Sequence, residues 1–441
     1  MNQGRIDHSG GHHRPISRRS MVIAAASTAV EWYDFTLYLY VATVLSRVMF
    51  GGGAGSVGAV LAGFAIAYLL RPLGAVVLGH YGDRHGRRKA MLLSMAVMST
   101  AMLATALLPT YAAIGPAAGL LLLALRCAMA FAVGGEYTGV VAYLLEGAPP
   151  EKRGLITSLA AAASEVGALM AVGVAALTVA LVPPPALDTW GWRIPFVVGA
   201  LLAGVVLLAR ASMEESPEYE RQRATGTVPK RPVHHALTRQ RTGIARGFAI
   251  SALGSITYYV GIGYVPTFLT SVGEMSEGLS LWLSTLAALA VIAVTPLVGM
   301  LSDRIGRRPV LIAVAVSGAI LPITLFAMMA GGGFWTALGG ALVLALLGGA
   351  VSAVGAVATA ELLSGEARLT GLAFGVTSAT ALFGGITPWA AQALIAATGW
   401  ASAPGAMIAV VAAVILPVLW HIPETAPGAT AQRQKIGLGR V

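Results

Sequence analysis

The chain has 441 residues, of which 56% are hydrophobic and 11% charged. A soluble globular protein carries about 25% charged residues, so a soluble enzyme, a disordered regulator and a secreted disulfide scaffold are excluded, and a mean hydropathy of +0.77 leaves a polytopic membrane protein. The net charge of +10, from 29 Lys+Arg against 19 Asp+Glu, raises nucleic acid or an anionic surface as partners, and the placement of the charges decides between them.

Taken in chain order, residues 1–20 form a polar tail, and His12-His13 within it reads as solvated rather than metal-binding. Arg18-Arg19 before Met21 to Val30 imitates a signal peptide. The apolar run meets Glu31 and Asp34, then resumes without a clear small-residue cleavage site, so it reads as an uncleaved first span. A bilayer crossing takes about 20 mostly apolar residues. Runs that fit cover 21–50, 56–80, 90–110, 117–146, 154–182, 192–211, 245–273, 279–301, 309–330, 333–363, 370–398 and 400–421. The prediction is therefore an all-α membrane protein of twelve helices. Turn chemistry separates the runs at Gly51-Gly52-Gly53, Pro149-Pro150, Pro183-Pro184-Pro185 and Gly331-Gly332-Gly333. No stretch alternates with a period of two, as a transmembrane β-barrel requires. The single cysteine, Cys127, makes neither an internal disulfide nor a cysteine-based metal site.

The composition turns charged between the sixth and seventh runs. Residues 212–244 read as an amphipathic cytoplasmic linker between a six-helix bundle at 21–211 and another at 245–421, with a tail at 422–441. Of the 29 lysines and arginines, all but Arg47, Arg71, Arg126 and Arg193 fall in the tails, in a cluster at 210–246 or in even-numbered connections. They share one side, which the positive-inside rule makes cytoplasmic, with both termini inside. The basic excess is then topology, and nucleic acid is not a partner. Arg47 and Arg193 fit the outer interface; Arg71 and Arg126 fall inside apolar runs.

Gly79, Asp83, Arg84, Gly86, Arg87 and Arg88 follow the second run in the pattern G-x-x-x-D-R-x-G-R-R. Gly299, Asp303, Arg304, Gly306, Arg307 and Arg308 repeat it after the eighth run. A weaker echo pairs Glu146 and Arg153 with Glu361 and Arg368. Six spans plus six with a parallel repeat is an architecture that transporters use for alternating access.

The doubled pattern resembles the signature loop of the major facilitator superfamily. Val30 to Phe35, Leu70 to Gly74, Gly134 to Gly139, Gly191 to Phe196 and Phe383 to Pro388 resemble its metabolite:proton symporter branch. The resemblance covers about residues 20 to 425. It implies two pseudo-symmetric bundles in the major facilitator fold, and an inner gate formed by the two D-R-x-G-R-R motifs. The branch includes transporters of citrate, 2-oxoglutarate, dicarboxylates, shikimate, proline and glycine betaine. One departure stands out: the family's fourth helix usually reads R-x-x-Q-G, where this chain has Arg126-Cys127-Ala128-Met129-Ala130.

An ionisable side chain inside the membrane costs at least about 2.5–3.5 kcal/mol, so each such residue is a candidate for mechanism. Glu31, Asp34, Glu136 and Glu165 are the proton-coupling candidates. Glu31 and Asp34 share a helix face, and two acids this close in a low dielectric resist being ionised together, which suits a reversible proton carrier; structural pairing with Arg71 or Arg126 is their other reading, and a packed, protonated core acid that of Glu165. Arg126 and Arg71 are candidates for a substrate carboxylate, which a guanidinium holds with two parallel hydrogen bonds; a structural partner of an acid is the other reading of Arg126, and anchoring a helix bend at Pro72 that of Arg71. The second half offers neutral polar groups, Tyr258, Tyr259, Tyr264, Thr387 and Gln392, and of these Tyr258, Tyr259 and Gln392 join Tyr38 of the first run as further substrate-binding candidates. Trp32, Tyr33, Phe35 and Tyr38 crowd the first run, where aromatics beside an acid suit a quaternary ammonium or simply pack.

The expectation is a symporter of a bacterial inner membrane, working as a monomer, that imports a small organic acid such as citrate, 2-oxoglutarate or shikimate with protons. Its rivals are a proton-coupled proline or glycine betaine importer and a proton-driven efflux pump. No G-x-x-x-x-G-K-[ST] loop occurs, so the chain carries no ATP site of that type. No metal, cofactor or catalytic residue is expected.

Overall fold

The computed structural model describes residues 16–53, 56–331 and 333–427, so most of both expected tails lies outside the described residues. Every regular element among them is helical. A chain in lipid must satisfy its own backbone N–H and C=O groups, and helices do so within one segment.

The first span is Arg18–Tyr40 continued by Ala42–Phe50, and the second is Ser56–Leu69 continued by Arg71–His85. Arg87–Leu107 is the third, and Ala117–Val133 with Glu136–Gly147 the fourth. Arg153–Leu181 and Arg193–Ala211 are the fifth and sixth. The seventh runs through Arg241–Tyr258, a π-helical turn at Tyr259–Gly263 and Val265–Ser271. Glu277–Ile305, Arg307–Ala330 and Phe334–Glu361 are the eighth to tenth. The eleventh extends from Arg368–Leu372 through π-helical turns to Thr387–Thr398, and Ala403–Trp420 is the twelfth.

Ten of these are long and apolar enough to cross a bilayer, and the seventh, bent by 41°, makes an eleventh. The first span falls below that apolarity because Glu31 and Asp34 sit in its middle, yet it packs along the fifth and sixth spans.

The repeated motif is a junction of one residue rather than a loop. The second span continues to His85 and the third starts at Arg87; the eighth continues to Ile305 and the ninth starts at Arg307. Gly86 and Gly306 alone separate them, at φ +110° and +109°, a region that a Cβ makes costly. Apolarity ends near 80 and 301, but arginine and lysine are good helix formers once the backbone leaves hydrocarbon.

Backbone contact between helices depends on small residues. A Cβ on Gly134 would strike the carbonyl of Arg71, and one on Gly74 the carbonyl of Phe131. The second and fourth spans therefore touch where Pro72 restarts the second, which fixes the position of Arg71.

The linker contains two short helices, Pro217–Thr225 and Pro232–Arg239, each with proline in its first turn. Pro232–Arg239 lies against the second and eleventh spans. On this side of the molecule one apolar cluster joins both halves, with Met91, Leu144 and Leu145 packed among Val357, Leu369 and Leu372.

Candidate functional site

A cavity of about 170 Å³ lies between the two halves. That is room for on the order of ten waters. Glu31, Trp32, Tyr68, Arg71 and Glu165 line it from one half, and Tyr258 and Tyr259 from the other.

Arg71 donates to Oε1 of Glu31, with its guanidinium 5.1 Å from the Tyr68 ring centre and 5.5 Å from that of Phe35. Oε2 of Glu31 and Nε1 of Trp32 are buried without a partner among the described residues. Tyr258 donates its hydroxyl to Glu165, which has no cationic partner among the described residues. The hydroxyls of Tyr68 and Tyr259 meet at 2.7 Å. Two consecutive tyrosines at the π-helical turn thus reach across to the other half.

Arg126 and Asp34 form a separate pair. Nη1 and Nη2 of Arg126 donate to the two Asp34 oxygens at 2.6 and 3.0 Å. The guanidinium lies 5.0 Å from the Tyr38 ring centre, and the Tyr38 hydroxyl is spent on the carbonyl of Val60. Arg126, Asp34 and Tyr38 do not line the central cavity. Met129, where the family usually has glutamine, packs in the apolar core, and Nε of Arg126 has no partner among the described residues. Gln392 accepts from Tyr264, also away from the cavity. The Thr387 hydroxyl bonds back to its own helix at Phe383 and Gly384.

Glu136 is the third buried acid with a guanidinium, and its partner is Arg210. Arg210 also donates to the Met91 carbonyl at 2.5 Å and to Ser27, while Ser94 donates to Glu136. Reading Arg210 as one of the flanking topological charges is thus corrected: it is fully buried. Apolarity cannot reveal this, because Arg210 sits at the end of its run, where positive charges ordinarily face water.

Both copies of the repeated motif touch the opposite half. Asp83 accepts from Leu369 N at 3.2 Å and Thr370 N at 2.8 Å, at the start of the eleventh span. Asp303 accepts from Gly154 N at 2.8 Å and Leu155 N at 2.9 Å, at the start of the fifth. A carboxylate is favoured at a helix N-terminus, where N–H groups are unpaired. The first glycine of each motif permits the approach: a Cβ on Gly299 would stand 2.6 Å from the Gly154 carbonyl, and one on Gly79 3.1 Å from that of Leu369. Arg87 bonds Asp83 at 2.9 Å and Glu146 at 3.3 Å, and Arg307 bonds Asp303 at 2.7 Å and Glu361 at 3.2 Å. Arg84 and Arg304 are exposed, and Arg308 stacks over Trp420.

A further duplicated pair escapes the sequence reading. Glu215 accepts from the backbone N–H of Arg88, and Glu424 from those of Arg307 and Arg308, at 2.9–3.1 Å. Each acid stands four residues beyond the last helical residue of its half, Ala211 or Trp420. The matching Glu-Ser and Glu-Thr steps were the available signal. Burial pushes the Glu215 carboxyl above the usual carboxylate range, against the N–H donors that hold it down.

Comparison with known proteins agrees with this architecture. The family described as "Sugar (and other) transporter" matches residues 20–230, and "Major Facilitator Superfamily" matches 272–440. A citrate-proton symporter of Klebsiella pneumoniae is 33% identical over 85% of each chain. The chain belongs to the major facilitator superfamily, in its metabolite:proton symporter branch. Members of this superfamily are transporters, not enzymes. A proline/betaine transporter of Salmonella typhimurium is 30% identical over 93% of this chain and 84% of its own. A shikimate transporter of Escherichia coli is 31% identical, over 86% and 88%. Among solved structures, the proton:xylose symporter XylE bound to 6-bromo-6-deoxy-D-glucose superimposes with a TM-score of 0.79 at 19% identity, over 92% of this chain and 96% of XylE.

Proposed function

We propose that this transporter imports a small carboxylate-bearing metabolite with a proton across a bacterial inner membrane, with the linker and both termini in the cytoplasm. The observation that carries this reading is Arg71, a guanidinium in the wall of the central cavity whose partner is the carboxyl of Glu31. The relatives named for citrate, proline/betaine and shikimate all carry carboxylate solutes, which supports it.

The pairing supplies a coupling logic. An entering carboxylate competes with Glu31 for one guanidinium. If both acids stay ionised, the cavity buries an uncompensated negative charge, which is costly. A proton on Glu31 removes that charge and frees Arg71. Solute and proton therefore favour each other's binding, which is the requirement for symport. The Asp83, Asp303 and arginine contacts act as the inner gate, closed in this conformation and broken when the halves rock.

The test is uptake into proteoliposomes under an imposed inward proton gradient. Glu31→Gln should abolish uphill accumulation while sparing counterflow exchange, and Arg71→Gln should abolish both. Unchanged uphill uptake in Glu31→Gln removes Glu31 as the proton site. Export of solute under the same gradient would overturn import altogether.

A further inference from the structure

The charges on the cavity wall are unequal. Arg71 is its single basic residue among those described, whereas Glu31 and Glu165 are both acids. A dicarboxylate or tricarboxylate would bring two or three negative charges to one guanidinium. A proton on Glu31 accommodates the first carboxylate and leaves the others facing Glu165. The wall therefore suits a solute with one carboxylate and opposes polyanions.

The second acid has its own surroundings. Glu165 is buried on the fifth span, lines the cavity and, among the described residues, receives only the Tyr258 hydroxyl. The Tyr258 ring stands against that of Trp32, with centres 5.7 Å apart, and Tyr137 also faces the cavity. A carboxyl among aromatic rings attracts a cation through its charge and through the ring quadrupoles.

We propose that the solute is a small zwitterion, with its carboxylate on Arg71 and its cationic nitrogen on Glu165, against Trp32 and Tyr258. This rests on the reading of the central cavity as a carboxylate site. A zwitterion is neutral overall, so the proton on Glu31 is what gives each transport cycle its charge.

The experiment measures binding to purified full-length protein by tryptophan fluorescence, alongside proteoliposome uptake. The probes are glycine betaine, proline, shikimate and citrate. The zwitterions should bind at least tenfold more tightly than shikimate or citrate. Glu165→Gln should weaken zwitterion binding at least tenfold, and Glu165→Asp should retain the preference. Melting and gel filtration show whether each variant is folded, and Glu165→Asp carries the test if the glutamine variant is not. Tighter binding of citrate or shikimate, still lost in Arg71→Gln, overturns the zwitterion and leaves the carboxylate site standing. Binding of every probe unaffected by Arg71→Gln, or no binding of any probe, overturns both.

Discussion

Arg368 of the eleventh span donates to Glu146 of the fourth at 2.6 Å and ties one half of the molecule to the other. The repeat makes the counterpart pair, Arg153 with Glu361, but at 3.9 Å. Each half thus contributes a glutamate that meets the arginine of the other. The two latches differ in solvation: the Arg368 side chain is 13% exposed and that of Arg153 is 33%. Symmetry of sequence has not produced equal latches.

Removing a partner from a buried ion pair costs about 3–5 kcal/mol, while solvated pairs contribute about 0–1 kcal/mol. Arg368→Ala should therefore loosen the contact between the two halves much more than Arg153→Ala. Hydrogen exchange of the Leu369 and Thr370 amides, which Asp83 holds, reads this directly. The expected acceleration is tenfold or more in Arg368→Ala and small in Arg153→Ala. Equal acceleration would mean that the latches are equivalent.

Gly299→Val tests the close approach of the fifth and eighth spans. The new Cβ meets the Gly154 carbonyl and the Ser158 hydroxyl oxygen, both at 2.6 Å, and the backbone there has no room to give. The variant should fold, because the clash lies between halves and arises only when this side closes. Transport should fall at least tenfold, and a cysteine placed near Gly154 in a Cys127→Ala background should label faster from the linker side. Normal transport would show that the halves need not meet at these glycines.

Apolar periodicity made the spans and the doubled motif legible, because lipid imposes one rule on every residue of a span. The rule fails where polarity is local. It stopped the second span near residue 80, although the helix continues to His85. It counted Arg210 with the solvated charges, because nothing in the order of residues says that Glu136 faces it. Glu31, Arg71, Glu165, Tyr258 and Tyr259 were named from the sequence, and the fold brings them to one cavity. Arg126 was named for the same reason, but a guanidinium inside a span has several acids to choose from, and packing gives it Asp34.

The Arg126 and Asp34 pair predicts a particular pattern of stability. Asp34→Asn leaves a buried guanidinium without its carboxylate, and about 3–5 kcal/mol of folding stability should be lost. Asp34→Asn with Arg126→Gln should recover a large part of that loss, since no unpaired charge remains. Thermal melting of the purified variants in detergent measures both. Additive losses would mean that the two side chains do not stabilise each other.

Glu136 is an intramembrane acid, but its surroundings argue against a role in coupling. It faces Arg210 and Ser94, and it does not line the central cavity. Its guanidinium partner also bonds Ser27 and the Met91 carbonyl, and so fastens the first, third, fourth and sixth spans together. Arg210→Lys replaces a planar fork with a point charge and should lower stability by about 3 kcal/mol or more, leaving these bonds partly unmade. Replacing both partners, as Glu136→Gln with Arg210→Met, removes both charges together and should melt close to the parent protein. The double variant should still accumulate solute uphill, because Glu31 and Arg71 are untouched. A folded double variant that exchanges solute but cannot accumulate it would transfer the coupling role to Glu136.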